Sequence, residues 1–414
     1  MLPMPRRTFA LLALATTAAF LSTACATRTG PDPFHIYLVL GEEGSTEMGV
    51  HWHTMAHDDT SVVHYDTTPR HGALESYAFE AEGSQRTIEG LPDNRQIHGV
   101  MLTGLEPDTV YYFVAGNPAI GYSKEHSFRT PPGGHEPIRF VIAGDMGVRR
   151  AVGALTKLAA SYDPAFVVVG GDLAYANGDL SRARTWDSWF NYWTRNMVTS
   201  EGHLIPIVAG IGNHETNKLE TDDWKEKAPF YTGFFWNQGE EPYFVRRVAD
   251  YLVFIVLDTG HLVRHVDQVE FLEEQLERHA DYSAVFPVYH VPFYPAHRDF
   301  LGGGSAAGRQ HWMPLFEEHG IRVAFENHDH VAKRTHPLRD GEIDPDGIVY
   351  IGDGAFGVNA RSVEPRWYLE MVESKQHFWV AELTPERIEL VAIDINGRVF
   401  DKVTLPLRAL ALAE

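Results

Sequence analysis

Five short polar clusters hold the residues of this chain whose types and spacing suit metal chemistry. They are Gly144-Asp145-Met146-Gly147, Gly171-Asp172-Leu173-Ala174-Tyr175, Gly212-Asn213-His214-Glu215, Val288-Tyr289-His290 and Asn327-His328-Asp329-His330. Together they offer carboxylate, phenol, amide and imidazole donors but no thiolate, which excludes a structural zinc site of the cysteine type. One carboxylate can bridge two cations about 3.5–4 Å apart, the spacing used for in-line displacement at phosphorus. The residue types therefore indicate a two-metal site.

Tyr175 is the most diagnostic candidate ligand. A tyrosine phenol ordinarily ionises near a pH of about 10, so only a strongly Lewis-acidic ion would hold it as phenolate at neutral pH. Fe(III) meets this requirement, and the histidine-rich positions nearby suit Zn(II), Fe(II) or Mn(II). The expected cofactors are therefore two metal ions, Fe(III) and a divalent ion.

Short apolar runs precede the clusters and indicate the elements that must position them. Four are strongly apolar and the last one is weaker: Phe140–Ala143, Phe166–Val169, Ile205–Ala209, Ile321–Phe325 and Val285–Tyr289. Runs of this length that are rich in Val and Ile are typical of buried strands. Open α/β sheets place ligand groups just beyond the carboxyl ends of their strands, which is where the clusters fall.

The ordered motifs GDxG, GDxxY, GNHE, VxH and HxH resemble those of the purple acid phosphatases, within the metallophosphoesterase superfamily. The resemblance spans roughly residues 34 to 405. It implies a first metal, expected to be Fe(III), on Asp145, Asp172, Tyr175 and His330. It implies a second metal on Asp172, Asn213, His290 and His328, with Asp172 as the bridge.

The last motif departs from the family, which has a glycine where this chain has Asn327. Asn is the non-glycine residue that best tolerates left-handed backbone geometry, so we expect the turn to persist. The family's additional histidines are not matched cleanly either. His297, seven residues beyond His290, is a candidate for one of them.

The resemblance also implies the reaction. A metal-bound hydroxide would attack a phosphomonoester in line, and His214 would hold the phosphate and give its proton to the leaving alcohol. A phosphodiesterase or phospholipid-acting hydrolase of the same fold is the alternative. A hypothesis of another class is a non-catalytic surface binding protein that keeps a vestigial phosphatase domain.

The chain as a whole is expected to be α/β. Residues 34–131 alternate apolar and polar positions in short runs, and Leu105–Tyr111 resembles the corner of a fibronectin type III-like sandwich, where the tyrosine hydroxyl ties back to the backbone. Thr130–Pro137 is predicted to be a linker, because its paired prolines and glycines cannot continue a sheet. Residues 137–406 are the expected catalytic domain, and the resemblance implies that it is a four-layer α/β/β/α sandwich.

Four further segments carry local predictions. Apolar spacing predicts amphipathic helices over residues 150–162 and around residues 269–276. Gly302–Gly308 is expected to be a flexible loop, either a plain surface loop or one that shapes the pocket. His51 and His53 are two apart on a predicted strand and could share a metal, but their alternating context favours a solvated strand face.

Residues 1–30 are predicted to be an export signal, which places the mature protein in the periplasm or at the cell surface. The pair Arg6-Arg7, with Phe9 two positions later, resembles a Tat signal; an ordinary Sec signal is the alternative. Cys25 is the single cysteine, so the mature domain has no disulfide. Its context resembles a lipobox, and lipidation would tether the protein to a membrane face; cleavage after Ala26 remains open.

The acidic net charge of the chain limits the classes of partner that it is expected to bind. The formal net charge is -21, with 35 Lys and Arg against 56 Asp and Glu. Proteins that bind nucleic acids usually carry a basic patch, so a nucleic-acid partner is not expected. A small phosphate ester is the expected substrate, because attraction to phosphate can be local to a metal site.

Overall fold

The structure is a computed structural model that describes residues 33–408 except residues 222, 237, 238 and 240. Its strands in chain order are β1 (Phe34–Leu40), β2 (Met48–Thr54), β3 (Val62–Asp66), β4 (Phe79–Glu82), β5 (Ser84–Thr87), β6 (Gln96–Leu102), β7 (Val110–Asn117), β8 (Gly121–Tyr122), β9 (His126–Arg129), β10 (Ile138–Ala143), β11 (Val167–Val169), β12 (Ile207–Ala209), β13 (Phe244–Val248), β14 (Leu252–Val256), β15 (Ala284–Val288), β16 (Val323–Phe325), β17 (Ala332–Thr335), β18 (Leu338–Arg339), β19 (Glu342–Ile343), β20 (Val349–Gly352), β21 (Leu369–Glu373), β22 (His377–Leu383), β23 (Arg387–Asp394) and β24 (Val399–Pro406).

The α-helices of the described residues are fewer than the strands. They are α1 (Arg150–Ala160), α2 (Ala183–Asn196), α3 (Trp224–Lys227), α4 (Pro229–Phe234), α5 (Val269–Arg278), α6 (Gly303–His311) and α7 (Met313–Glu318). Where the structure describes every residue of the element, 3-10 helices cover Leu74–Ser76, Leu180–Arg182 and His265–Gln268. The predicted helices over residues 150–162 and 269–276 are confirmed as α1 and α5.

Two large sheets form the centre of the molecule. One has ten strands in the order β24-β23-β22-β10-β11-β12-β1-β2-β6-β5, and the other has seven in the order β13-β14-β15-β16-β20-β17-β21. The strands β10, β11 and β12, which are rich in Val and Ile, pair in parallel, as do β14, β15 and β16. The sheets face each other through an aromatic core in which Phe140 and Phe166 meet Phe254 at ring-centroid distances of 5.3 and 5.7 Å.

Helices cover the outer faces of both sheets. Val152 and Leu155 of α1 are buried in one hydrophobic cluster with the outer face of the ten-stranded sheet. Leu272 and Leu276 of α5 are buried in another cluster with the seven-stranded sheet. Helix, sheet, sheet and helix thus follow one another, which confirms the predicted four-layer α/β/β/α sandwich.

The N-terminal region is a β-sandwich that shares a sheet with the rest. Strands β3, β4, β7, β8 and β9 form a separate five-stranded sheet, and its Val63 and Phe113 are buried in one cluster with Leu38 of β1. Strand β1 pairs in parallel with β12, where Val39 lies opposite Ile207. Hydrogen bonding therefore runs without a break from the sandwich into the α/β sheet.

The tyrosine corner predicted near the start of β7 is present. The backbone N–H of Glu106 donates to the hydroxyl of Tyr111 at 2.9 Å. Tyr111 is 4% exposed, so this bond satisfies a polar group that would otherwise be buried without a partner. The prediction made from residues 105–111 is confirmed.

The glycine-rich segment Gly302–Gly308 is a correction. It does not form a loop, because residues 303–311 are the helix α6. A β-carbon added at Gly308 would lie 2.0 Å from the ring of Phe293, and one at Gly304 would lie 3.0 Å from Val291. Glycine therefore serves close packing of the helix here, and the low helix propensity of glycine misled the sequence interpretation.

The predicted export signal, with Arg6, Arg7 and Cys25, lies outside the described residues. Among residues that are described, none belongs to a helix with both the length and the apolar character needed to cross a bilayer.

Candidate metal centre

The carboxyl ends of five strands bring the polar clusters together. Asp145, Asp172 and Asn213 follow β10, β11 and β12 of the ten-stranded sheet within four residues. His290 and His328 follow β15 and β16 of the other sheet within three residues. Because these strands are parallel within each sheet, the site forms where the ends of the two stacked sheets meet.

The ligand atoms fall into two groups that share one carboxylate. Those of Asp172, His290 and His328 lie within 4.8 Å of one another, and so do those of Asp145, Asp172 and His330. Asp145, Asp172 and His290 are at most 1% exposed. Two buried clusters of donors joined through Asp172 have the arrangement expected of a dinuclear centre.

Tyr175 and Asn213 complete these groups. The Tyr175 hydroxyl lies 3.0 Å from Asp145 Oδ1, to which it donates, and 3.0 Å from His330 Nε2. Asn213 Oδ1 and Asp172 Oδ2 are buried and accept no hydrogen bond. Buried oxygens are rarely left without a partner, and oxygen donors mixed with imidazole suit a pair of hard or borderline cations. The residues present therefore fit two metal ions.

The local electrostatics agree with cation binding. Burial, reinforced by Asp145 and Asp172, raises the pKa of Tyr175 well above its ordinary value, so the tyrosine remains a phenol unless a cation reverses the balance. Burial alone would also raise the pKa of Asp172, but His290 and His214 outweigh it and the pKa is lowered. Against the effect of burial, the two carboxylates raise the pKa of His290 to about 10.

Most of the candidate ligands have left-handed backbone geometry. The φ angle is 55° at Asp145 and Asp172, 62° at Tyr175, 79° at His328 and 59° at His330. A positive φ is uncommon outside glycine and costs on the order of 1–3 kcal/mol per residue. Five such residues at one place indicate a backbone that surrounding contacts force into a functional geometry.

Glu215 holds two of the ligand loops together. Its buried carboxylate accepts hydrogen bonds from the backbone N–H groups of Asp172 at 2.7 Å, Leu173 at 2.8 Å and Gly212 at 2.9 Å. It positions Asp172, the carboxylate that the two donor groups share, relative to Asn213. Glu215 is part of the motif Gly212–Glu215, but its residue type alone predicted no role; its place next to Asn213 and His214 was the available signal.

Asp329 plays a similar part between the last two histidines. Its Oδ2 accepts from the backbone N–H groups of Ala296 at 2.7 Å and His297 at 2.8 Å. Its own N–H donates to Asp353 Oδ1 at 3.1 Å. The side chain between His328 and His330 therefore faces away from the metal groups and fastens the neighbouring loop.

Asn327 supports the site differently from the expectation. It is not among the residues with positive φ, which are instead His328 and His330, so the explanation by left-handed tolerance is wrong. Its side chain lies between two glycine loops: a β-carbon at Gly144 would lie 2.0 Å from Asn327 Oδ1, and one at Gly170 1.9 Å from its Nδ2. The amide fills the space that these glycines leave.

His214 lies on the open side of the centre. Its Nδ1 is hydrogen-bonded to Asn177 Oδ1, its Nε2 is 3.9 Å from Asp172 Oδ2, and its ring lies 4.0 Å from that of Tyr175. Because an amide oxygen only accepts, Nδ1 carries the hydrogen and Nε2 faces the candidate metals. Burial lowers the pKa of His214. Together with Tyr175 and His330 it lines a cavity of 530 Å³.

His297 is not part of either group of ligand atoms. Its Nδ1 is hydrogen-bonded to the backbone oxygen of Ser362 at 2.8 Å, and its N–H bonds to Asp329. The residue is therefore near the His330 loop through Asp329, with one ring nitrogen engaged elsewhere. Its catalytic role stays a prediction.

His51 and His53 are a second correction. Both are 0% exposed, not solvated. His53 stacks on Phe234 with ring centroids 5.0 Å apart, and His51 stacks on Tyr37 at 5.2 Å. The expected solvent-facing side of β2 is covered by aromatic side chains from the α/β region, which a strand pattern alone does not reveal.

Comparison with known proteins assigns this fold and site to a class and then to a family. Residues 138–332 match the calcineurin-like phosphoesterases, and residues 33–130 match the purple acid phosphatase N-terminal domain. The class is therefore metallophosphoesterase, and the chain is a phosphoric ester hydrolase. With both matches in chain order, it belongs to the purple acid phosphatase family, whose members hold two metal ions.

Individual relatives agree with this assignment. Purple acid phosphatase 18 of Arabidopsis thaliana is 25% identical over 84% of this chain and 80% of its own length. Probable purple acid phosphatase 20 of the same plant is 26% identical, over 79% and 74%. The purple acid phosphatase PPD1 from yellow lupin seeds has the same fold, with a TM-score of 0.76 at 20% identity over 91% of this chain and 74% of that one.

Proposed function

We propose that this protein is an exported phosphatase that hydrolyses phosphomonoesters at a centre of two metal ions. The first ion would be held by Asp145, Asp172, Tyr175 and His330, and the second by Asp172, Asn213, His290 and His328. The observation that carries the proposal is the pair of donor groups that share Asp172. The unpartnered buried oxygens of Asp172 and Asn213 support it.

The metal ions, when bound, supply Lewis-acid polarisation of the phosphoryl group and lower the pKa of a water nucleophile. The side chains do the rest. His214, with Nδ1 fixed by Asn177, is placed to hold a phosphate oxygen and to donate a proton from Nε2 to the leaving oxygen. Glu215 keeps Asp172 beside Asn213, so that the donor groups stay in register.

The bridge is tested by removing it. Asp172→Ala should lose both ions, because nothing then shares charge between them, and elemental analysis should find fewer than one metal per chain. Asp59→Ala, at an exposed aspartate outside the site, is the matched control and should keep two. Two metals still bound to the Asp172 variant would refute the shared bridge.

The metal and the ligand Tyr175 are tested by colour. A phenolate on Fe(III) gives a visible charge-transfer band, so oxidised, iron-loaded protein should be purple to pink, and Tyr175→Phe should bleach it. Tyr192→Phe, which lies over α1 near Gly153, should keep the band. Iron-replete, oxidised wild-type protein without a visible band would show that Tyr175 is not a ligand, and a centre of Mn(II) or Zn(II) would replace the proposal.

Substrate class and export need separate tests. The metal-loaded protein should turn over aryl phosphates and alkyl phosphomonoesters faster than diesters; the reverse order would favour the phosphodiesterase alternative. His214→Ala should slow the hydrolysis of esters of poorly acidic alcohols more than that of nitrophenyl esters, because general acid catalysis contributes about 10²–10⁴-fold where the leaving group needs a proton.

Changing Arg6 and Arg7 to Lys should stop export by Tat, whereas a Sec signal tolerates Lys.

A further inference from the structure

The cavity beside His214 has an unusual balance of charge. The residues that line its 530 Å³ include Tyr175, His214, His330, Arg149, Arg182 and Arg361. Three of these are arginines, and among the described lining residues none is Asp or Glu. The whole chain has a formal net charge of -21. In so acidic a protein, a cavity that is lined by three arginines and no carboxylates indicates a site that binds anions.

The arginines come from three loops that the site itself fixes. Arg149 follows the Asp145 cluster and precedes α1, and Arg182 ends the 3-10 helix Leu180–Arg182. The backbone N–H of Arg361 donates to the backbone oxygen of His330 at 2.9 Å. Arg149 and Arg361 therefore lie on segments that carry, or bond to, a candidate metal ligand, and Arg182 lies in the chain that follows Tyr175.

These guanidinium groups are free to bind a ligand. Many arginines in the described part of the chain pair with carboxylates, for example Arg95 with Asp187 and Arg334 with Asp401. Arg149, Arg182 and Arg361 have no ion-pair partner within 4.0 Å among the described residues. Asp179, the nearest acidic residue in sequence to Arg182, accepts hydrogen bonds at its Oδ1 from Ser181 N and Oγ at 3.0 and 2.7 Å. Arg182 attracts it only at longer range, as one of the causes that lower the pKa of Asp179, after the hydrogen bonds from Ser181.

We propose that Arg149, Arg182 and Arg361 form an anion subsite that binds a second phosphate group of the substrate while the first lies at the metal centre. The inference rests on the proposed phosphatase function and specifies its substrate class as phosphate esters with two phosphates. Guanidinium is suited to this task, because its planar fork of donors matches phosphate oxygens and stays charged. A substrate with one phosphate would leave the subsite without an anion.

The test compares substrates that differ by one phosphate. Fructose 1,6-bisphosphate should exceed fructose 6-phosphate in kcat/KM by about tenfold or more, mainly through KM, since the second phosphate binds equally in the ground and transition states. The preference should shrink as salt rises from 0.05 to 0.5 M, because exposed charges are screened. ADP against AMP forms a second arm: a preference there alone would assign the subsite to an adjacent phosphate of a nucleotide.

Variants assign the effect to the arginines. Arg182→Gln and Arg361→Gln should each lower kcat/KM for the bisphosphate about tenfold more than for the monophosphate, equivalent to about 1.4 kcal/mol. Arg149→Gln should act in the same direction. Arg150→Gln and Arg184→Gln are matched controls, since both residues are exposed neighbours that do not line the cavity. A bisphosphate preference that survives the triple variant would overturn the proposal.

Failure of the subsite can be told from failure of the phosphatase assignment. Absence of aryl phosphate turnover by metal-loaded protein would count against the proposed function. Turnover with equal kcat/KM for the two sugar phosphates would overturn only the subsite. Calorimetric binding of fructose 1,6-bisphosphate to the metal-loaded wild type and to the triple variant tests the arginines without any turnover, and equal affinities would likewise overturn it.

Discussion

Two pairs of histidines with the same spacing lie in opposite surroundings in this molecule. His51 and His53 are part of the regular strand β2, where alternate side chains share one face. His328 and His330 lie beyond β16, in left-handed backbone at φ of 79° and 59°. In the strand the two rings point the same way into an aromatic layer. In the turn they serve two groups of donors that share Asp172.

The surroundings follow from this difference in backbone. His51 and His53 pack against aromatic rings, and both ring nitrogens of His51 and Nε2 of His53 have no hydrogen-bond partner. His330 Nε2 lies 3.0 Å from Asp145 Oδ1, and His328 Nδ1 lies 3.1 Å from His290 Nε2. The spacing of two histidines therefore does not by itself predict a metal site, whereas strand ends that bring carboxylates beside the histidines form groups that could hold a metal.

The same substitution at each pair should give the sharpest contrast. His328→Asn should lower kcat/KM for an aryl phosphate by at least about 10³-fold, beyond the roughly 10–100-fold cost of losing an outer-shell partner, and should lower metal content. His51→Asn should keep both metals and instead lower the free energy of unfolding by about 1–3 kcal/mol, since it removes a packed ring. Parallel metal analysis and urea unfolding check both variants.

The contrast would fail if His51→Asn lost metal, or if His328→Asn kept both ions and full turnover. His57→Asn, at an exposed histidine in the same N-terminal region, should change neither metal content nor stability and serves as the control.

A fully buried ion pair lies behind His328 and His330, whereas the ion pair beside His53, formed by Arg95 and Asp187, is partly exposed on the side of Asp187. Lys333 Nζ is 2.6 Å from Glu326 Oε2 and 3.5 Å from Asp353 Oδ2, with Lys333, Glu326 and Asp353 all 0% exposed. Lys333→Met should lower the free energy of unfolding by about 3–5 kcal/mol, because it leaves carboxylates buried without a cation. Denaturant unfolding of metal-free protein measures this, and a loss below 1 kcal/mol would contradict it. Lys402→Met, at an exposed pair with Glu389, is the control.

Acid should destabilise the fold through His51, on strand β2. Burial lowers the pKa of His51 to about 3, against about 6.5 in the unfolded chain, so the folded protein holds it neutral. The stability that this group contributes is complete above pH 6.5 and is lost as the pH falls from there towards 3. Between pH 7 and 4.5 the loss due to His51 should be about 2–3 kcal/mol. Urea unfolding of metal-free wild type and His51→Leu should show a smaller pH dependence in the variant; equal slopes would contradict this.

The smallest expected effect is that of His51→Leu at pH 7. Both ring nitrogens of His51 are buried without partners, and a buried unpartnered polar group costs about 1–3 kcal/mol. Leucine removes that cost but also the stacking on Tyr37, so the net change should be a gain of about 1 kcal/mol or less. Urea unfolding with unchanged metal content is the measurement. A loss above 1 kcal/mol would show that the ring contributes more than its polar atoms cost.

The sequence predicted much of the fold because its signals are local. Runs rich in Val and Ile before Asp145 and Asp172 predicted the buried strands, and apolar spacing predicted α1 and α5. The prediction of a loop at Gly302–Gly308 was wrong, because Gly308 packs on Phe293, and no local helix pattern in the sequence shows that contact. The prediction for His51 and His53 was also wrong, because a strand pattern does not show which element covers its outer face.

What the sequence determined by itself was the chemistry of the candidate centre: the residue types, their order and their positions at strand ends. What only the tertiary structure decided was which groups meet. Asn327 fills the gap between Gly144 and Gly170, Glu215 ties two ligand loops, and three arginines from separate loops surround one cavity. Strand propensity and motif order act over a few residues, whereas these contacts join segments far apart in the chain, so they exist only once the two sheets have packed together.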